Sequence, residues 1–170
     1  MRKVSPAVDP ATFRAVLGRF CSGITVITAL GPAGPLGLTC QSFASLSLDP
    51  PLVLFSPART SVTWPRIREA GRLCVNVLAE GHSGLSAAMA RSGTDKFAGV
   101  CWAASAHGAP RLAGAVAWLD CAVEAEHDGG DHTIVVAAVQ GLSAGPSARP
   151  LLYYQGQYAA LASPQWAPVT

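Results

Sequence analysis

The stretch over residues 38–56, LTCQSFASLSLDPPLVLFS, constrains this chain more than any other. It opens on a small polar cluster, Thr39, Cys40, Gln41 and Ser42, and runs through alternating positions at Phe43, Ser45, Leu46, Ser47 and Leu48. It turns at Asp49-Pro50-Pro51 and resumes as the apolar run 52–55. The pattern reads as strand, turn, strand. Alternation sends successive side chains to opposite faces, so one face can bury Leu and Phe while hydroxyl and amide groups line the other. A rigid sheet with such a lining can hold a polar, planar ligand.

Upstream, Asp9-Pro10 is a helix opening: the acid caps free N–H groups and proline occupies the first turn, where no N–H is needed. Phe13, Val16, Leu17 and Phe20 then fall on one face, so the spacing predicts a helix over about 9–20 with an apolar side. Ser22-Gly23 ends it. The β-branched run 24–30 reads as the first strand, and GPAGP at 31–35 as a turn.

Downstream of Phe55, a strand ends at SPARTS and a short helix spans 64–70, capped by Ser61 or Thr63. Free N–H groups, two hydroxyls and Arg59 there make either a simple cap or a phosphate site. Residues 73–78 read as a strand interrupted by Asn76, an amide that either satisfies neighbouring backbone or reaches a ligand. A short helix over 82–90, with Leu85 and Met89 inward, precedes a charged loop at Arg91, Asp95 and Lys96. Strands over 115–124 and 133–142 flank a glycine-containing hairpin, and Tyr153, Tyr154 and Tyr158 follow as core, interface or ring-stacking groups. The tail over 162–170 is proline-rich and reads as loose.

Seven or so strand patterns and two or three short helices, without βαβα alternation, predict a mainly β, antiparallel barrel in one domain over 1–170. At 170 residues, 50% hydrophobic and 13% charged, the chain can bury a real core and leaves a weakly charged surface, as subunit pairing would explain. A net charge of +2 without a basic run argues against nucleic acid. Residues 20–48 carry no charge, yet their Gly, Pro, Ser, Thr and Gln break any membrane span. No secretory signal is evident at the N-terminus, so a cytoplasmic location is expected.

The five cysteines form no CxxC pair. Cys21, Cys74, Cys101 and Cys121 are read as small buried side chains, whereas Cys40 sits in the polar cluster. His127, Asp128, Asp131 and His132 crowd one hairpin, but side chains at a hairpin tip diverge and no other region supplies a ligand, so no metal is expected. No GxGxxG after a strand, GxxxxGK[ST], HExxH or GxSxG occurs.

The motifs TCQSFASLSLDPPLVLF (39–55), SVTWPRI (61–67), CVNVL (74–78), DKFAG (95–99), GDHTIV (130–135) and PLLYYQGQY (150–158) resemble, in this order, the short flavin reductase family. They are most similar to the reductase partners of two-component aromatic and steroid-phenol monooxygenases. The resemblance implies an FMN-binding split β-barrel of Greek-key type, a homodimer, and hydride transfer from NADH, or alternatively NADPH, to FMN or FAD. Reduced flavin would then pass to a partner monooxygenase. It also implies that Thr39, Cys40, Gln41, Ser42 and Ser45 line the flavin, with Asn76, Tyr153 and Tyr158 completing the site. Ser56, Thr60, Ser61 and Lys96 would hold its phosphate, with Phe97 at phosphate or ring, and His132 would position nicotinamide. The same barrel could instead serve an electron-transfer flavoprotein with tightly held FMN.

Overall fold

The computed structural model describes residues 8–93, 95–147 and 149–162. The tail read as loose lies outside these residues, apart from Ala162. Helix α1 (Pro10–Leu17) begins as its sequence requires, with Asp9 accepting from the Thr12 N–H at 2.8 Å. It ends earlier than the expected 9–20, because Gly18 already caps it. Its apolar face does not enter the core: exposure runs from 54% at Phe13 to 78% at Phe20.

The strands β1 (Ser22–Gly23), β2 (Thr25–Gly31), β3 (Gly34–Cys40), β4 (Ala44–Leu48) and β5 (Pro51–Phe55) come next. Helix α2 (Trp64–Ala70), β6 (Arg72–Val77) and helix α3 (Ser83–Ala90) follow. Then come β7 (Trp102–Ala104), β8 (Pro110–Leu112), the long hairpin β9 (Ala117–Gly129) and β10 (His132–Ala144), and the pair β11 (Leu152–Tyr154) and β12 (Gln157–Ala159). The main sheet is antiparallel, in the order β3-β2-β6-β9-β10-β5-β4. The β9–β10 hairpin thus lies between β6 and β5, a Greek-key crossing, and the two edge strands β3 and β4 are neighbours in sequence.

One core fills the inside of this curled sheet. Ile27, Leu36, Leu38, Val53, Phe55, Leu73, Val75, Cys121, Val135 and Ala137 converge from β2, β3, β5, β6, β9 and β10, and α2 adds Trp64 and Ile67. Trp64 packs edge-on against Phe55 with ring centroids 5.4 Å apart. Gly71, at φ 74°, ends α2 in the left-handed region where a side chain is strained, and turns the chain into β6. A second core lies outside β2, where Ile24, Val26, Leu78, Met89, Leu112 and Leu151 gather with half-buried Phe97 and Tyr153. Each large apolar side chain so buried contributes about 1.5–3 kcal/mol, which identifies these two clusters as what holds the sheet in its curl.

Three expectations are corrected here. In β4 the leucines do not turn inward: Leu46 is half exposed and Leu48 almost wholly so, because a bulge between Ser45 and Ser47 breaks the alternation on an edge strand. Cys21 and Cys101 are exposed, whereas Cys40, Cys74 and Cys121 are buried. Asn76 is a core residue, fully buried, and its amide donates to the Val26 and Cys74 carbonyls and to Thr28 Oγ1 while its oxygen accepts from the Leu112 N–H at 2.7 Å. It reaches no cleft.

Candidate functional site

A cleft of about 430 Å³ opens where the end of β3, the loop after β5, the end of α3 and the tip of the β9–β10 hairpin meet. Thr39, Cys40, Gln41 and Ser42 form one wall, and Ser56, Thr60, Ser61 and Thr63 face them. Met89 and Ala90 at the end of α3 and Arg91 and Ser92 just beyond it also line the cleft, as do Lys96 and His132. Two of these residues are cations and none is a carboxylate, among the described residues that line it.

The polar wall exists because the chain leaves the sheet after Cys40. Ser42 Oγ accepts from the Ser56 N–H at 2.9 Å and donates to the Ser56 carbonyl at 3.1 Å. That fastens the turn after β3 to the end of β5. Thr39 Oγ1 donates to the Ser86 carbonyl at 2.6 Å, binding β3 to α3. Ser61 Oγ accepts from the Trp64 N–H at 3.1 Å, so the capping role belongs to Ser61, and its own proton stays available to the cleft.

Lys96 acts as a structural tie. Its ammonium donates to the Gly37 and Met89 carbonyls, each at 2.9 Å, and to Thr63 Oγ1 at 3.3 Å. Those three acceptors use its three protons. Burial, reinforced by the Arg66 charge, pushes its pKa below the ordinary lysine value. At Gly37 a Cβ would stand 2.6 Å from Met89 Sδ and 3.2 Å from the Phe97 ring, so glycine is what lets α3 and Phe97 approach β3 this closely.

His132 reaches the cleft by backbone stitching. Thr133 N donates to the Pro57 carbonyl at 3.0 Å and Arg59 N to the Asp131 carbonyl at 2.9 Å, which lays the hairpin tip along residues 57–59. The His132 Nδ1 lies 2.7 Å from Asp131 Oδ1. An ionised carboxylate only accepts, so Nδ1 carries the hydrogen of this contact. The hydrogen bond from His132, then its charge, holds the Asp131 carboxyl below the usual range.

A smaller lobe of about 180 Å³ adjoins the cleft, sharing Thr39, Gln41 and Ala90 with it and adding Tyr153 and Tyr158. The two tyrosines meet edge-on at 5.6 Å, and Tyr158 Oη bonds to Ser86 Oγ at 3.1 Å. The structure therefore brings most of the sequence-selected residues together. It leaves out Ser45, which is exposed on β4, as well as Asn76. Phe97 is packed into the second core, edge-on to Trp102. Arg59, suggested by the sequence for a phosphate, instead pairs with Asp128 at 2.7 Å and does not line the cleft. Arg91 and Ser92 lie in the site without having been singled out. Their only signal is a cation and a hydroxyl just beyond a helix end, a pattern shared with ordinary solvated loops.

The donor set suits a flavin: a polar wall for a ring, facing hydroxyls and cations for a phosphate, and no carboxylate to repel it. Among the described residues, no helix is long and apolar enough to cross a membrane.

The chain is 51% identical over 157 residues, 91% of its length and 84% of the relative's, to the reductase subunit HsaB of a flavin-dependent monooxygenase from Mycobacterium tuberculosis. It is 45% identical over 128 residues, 75% of its length and 73% of the relative's, to the FMN reductase (NADH) SmoA of Agrobacterium fabrum. The crystal structure of a nitrilotriacetate monooxygenase component B homologue from Mycobacterium thermoresistibile superposes with a TM-score of 0.89 at 47% identity, covering 94% of this chain and 90% of that one. The model of the flavin reductase like domain matches residues 17–162, most of the chain, and the chain belongs to that family.

Proposed function

We propose that the cleft takes FMN or FAD together with NADH, and that the protein passes the reduced flavin to a separate flavin-dependent monooxygenase. Family membership makes the chain a flavin reductase. The observation that carries the placement is the cleft itself, where hydroxyls from two sides and two cations gather without a carboxylate. Flavin, when bound, supplies the redox chemistry, accepting at N5 the hydride that NADH gives up from C4.

The chain's own residues orient and desolvate. The 39–42 wall, fixed through the Ser42–Ser56 and Thr39–Ser86 bonds, gives the ring a preorganised polar edge. Ser61 and Thr60 offer hydroxyl protons toward an anion. His132, held by Asp131, is the group that orients nicotinamide. No dinucleotide fingerprint follows a strand in this chain, so NADH and NADPH alike lack a dedicated Rossmann site. Reduced flavin then leaves the half-open cleft as a product.

We also place the protein in a homodimer, because the exposed face of Phe13, Val16, Leu17 and Phe20 borders Gln41 and Ser42 of the site. A reducing, cytoplasmic setting fits five unpaired cysteines, two of them exposed. Equilibrium dialysis against FMN and FAD tests the reading: saturable binding of at least one is expected, and absence of both contradicts it.

A further inference from the structure

We propose that Arg91 is the residue that receives the flavin phosphate, and that Lys96, in the same cleft, does not donate to it. This rests on the flavin reading above.

Chemistry at the two cations separates them. The Lys96 ammonium spends its three protons on Gly37, Met89 and Thr63, and a phosphate could bond it only by breaking one of these ties. Arg91 lines the cleft and is exposed, and its guanidinium makes no hydrogen bond or ion pair among the described residues. The backbone sets it there: Arg91 caps α3 with φ −79° and ψ 158°, an extended conformation that takes it out of the helical spiral. Arg59, the other cation near residues 56–61, is already paired with Asp128 and bonded to the His132 carbonyl.

A guanidinium matches a phosphate with two parallel N–H donors, which a lysine point charge does not. The hydroxyls of Thr60 and Ser61 and the side chain of Ser92 line the same cleft and can complete the oxygen coordination. Among the described residues that line the cleft, no carboxylate competes for the Arg91 charge.

Riboflavin and FMN differ only by the phosphate, so their dissociation constants isolate this subsite. Titrations following flavin fluorescence would compare the unaltered protein with Arg91→Ala and Arg91→Lys. The unaltered protein should favour FMN over riboflavin. Arg91→Ala should weaken FMN by about tenfold or more while leaving riboflavin within about twofold, which also shows that the variant is folded. Arg91→Lys should recover part of the preference. An FMN preference that survives Arg91→Ala undiminished overturns the assignment, as does equal binding of the two ligands by the unaltered protein. Failure of the unaltered protein to bind either ligand would instead remove the flavin reading, and this assignment with it.

Discussion

Ser42 holds the backbone of Ser56 from both sides, its hydroxyl accepting from the N–H at 2.9 Å and donating to the carbonyl at 3.1 Å. The Cys40 thiol lies 3.3 Å from the same hydroxyl and also approaches the Ser56 carbonyl. The polar wall of the cleft is therefore a braced structure and not a set of free side chains.

Removing that brace should loosen the fold and the site together. Ser42→Ala is expected to cost about 1–2 kcal/mol, read by urea denaturation, and to weaken flavin binding. Unchanged stability and unchanged affinity would show that the Ser42–Ser56 pair organises neither.

Asn76 should separate from the site in the opposite manner. Asn76→Leu takes the acceptor from the Leu112 N–H and a donor from the Val26 carbonyl, at a cost of about 2–4 kcal/mol. The folded variant should keep its flavin affinity, since the amide reaches no cleft. Lost affinity at full stability would return Asn76 to the binding site.

Thiol reactivity tests the burial pattern. Desolvation, with the Asp120 charge adding to it, pushes the Cys74 and Cys121 thiols up to about 12. At pH 8 an alkylating reagent should modify Cys21 and Cys101 promptly and Cys74 and Cys121 only after unfolding, as mass spectrometry of peptides would report. Above the ordinary thiol value the native protein holds two protons that the unfolded chain releases, so stability should fall as pH rises from about 9 toward 12. A rise over that window would contradict the burial of both groups.

His132 carries the proposed nicotinamide contact. His132→Ala should slow NADH oxidation at saturating flavin by about tenfold or more with flavin affinity held. Equal loss of both, or change in neither, would remove that role.

Much of the barrel was legible from local patterns: strands β2, β6, β9 and β10, helices α2 and α3, and the hairpin at Gly130 all lie close to where periodicity and turn residues put them. The failures share a cause, which is that tertiary partners decide what a pattern only permits. Phe13, Val16, Leu17 and Phe20 have helical spacing, but nothing within the described chain covers them. Leu46 and Leu48 alternate correctly, yet a bulge on an edge strand leaves them outside. At the site, Thr39 to Ser42 stood out because a polar cluster inside a strand run is unusual. Asn76 and Phe97 carry no mark distinguishing a core partner from a ligand contact, and Arg91 looks like any loop cation until the cleft is assembled around it.

Reduction of a diffusible flavin by NADH is the activity proposed for the cleft. Steady-state oxidation of NADH and NADPH by the purified protein, with FMN and FAD added in separate series and bound flavin measured beforehand, tests it most directly. Saturable turnover that depends on added flavin is the predicted result, and it would name both cofactors. Tightly bound flavin with no turnover of either nucleotide would contradict the account and leave an electron-transfer flavoprotein in its place.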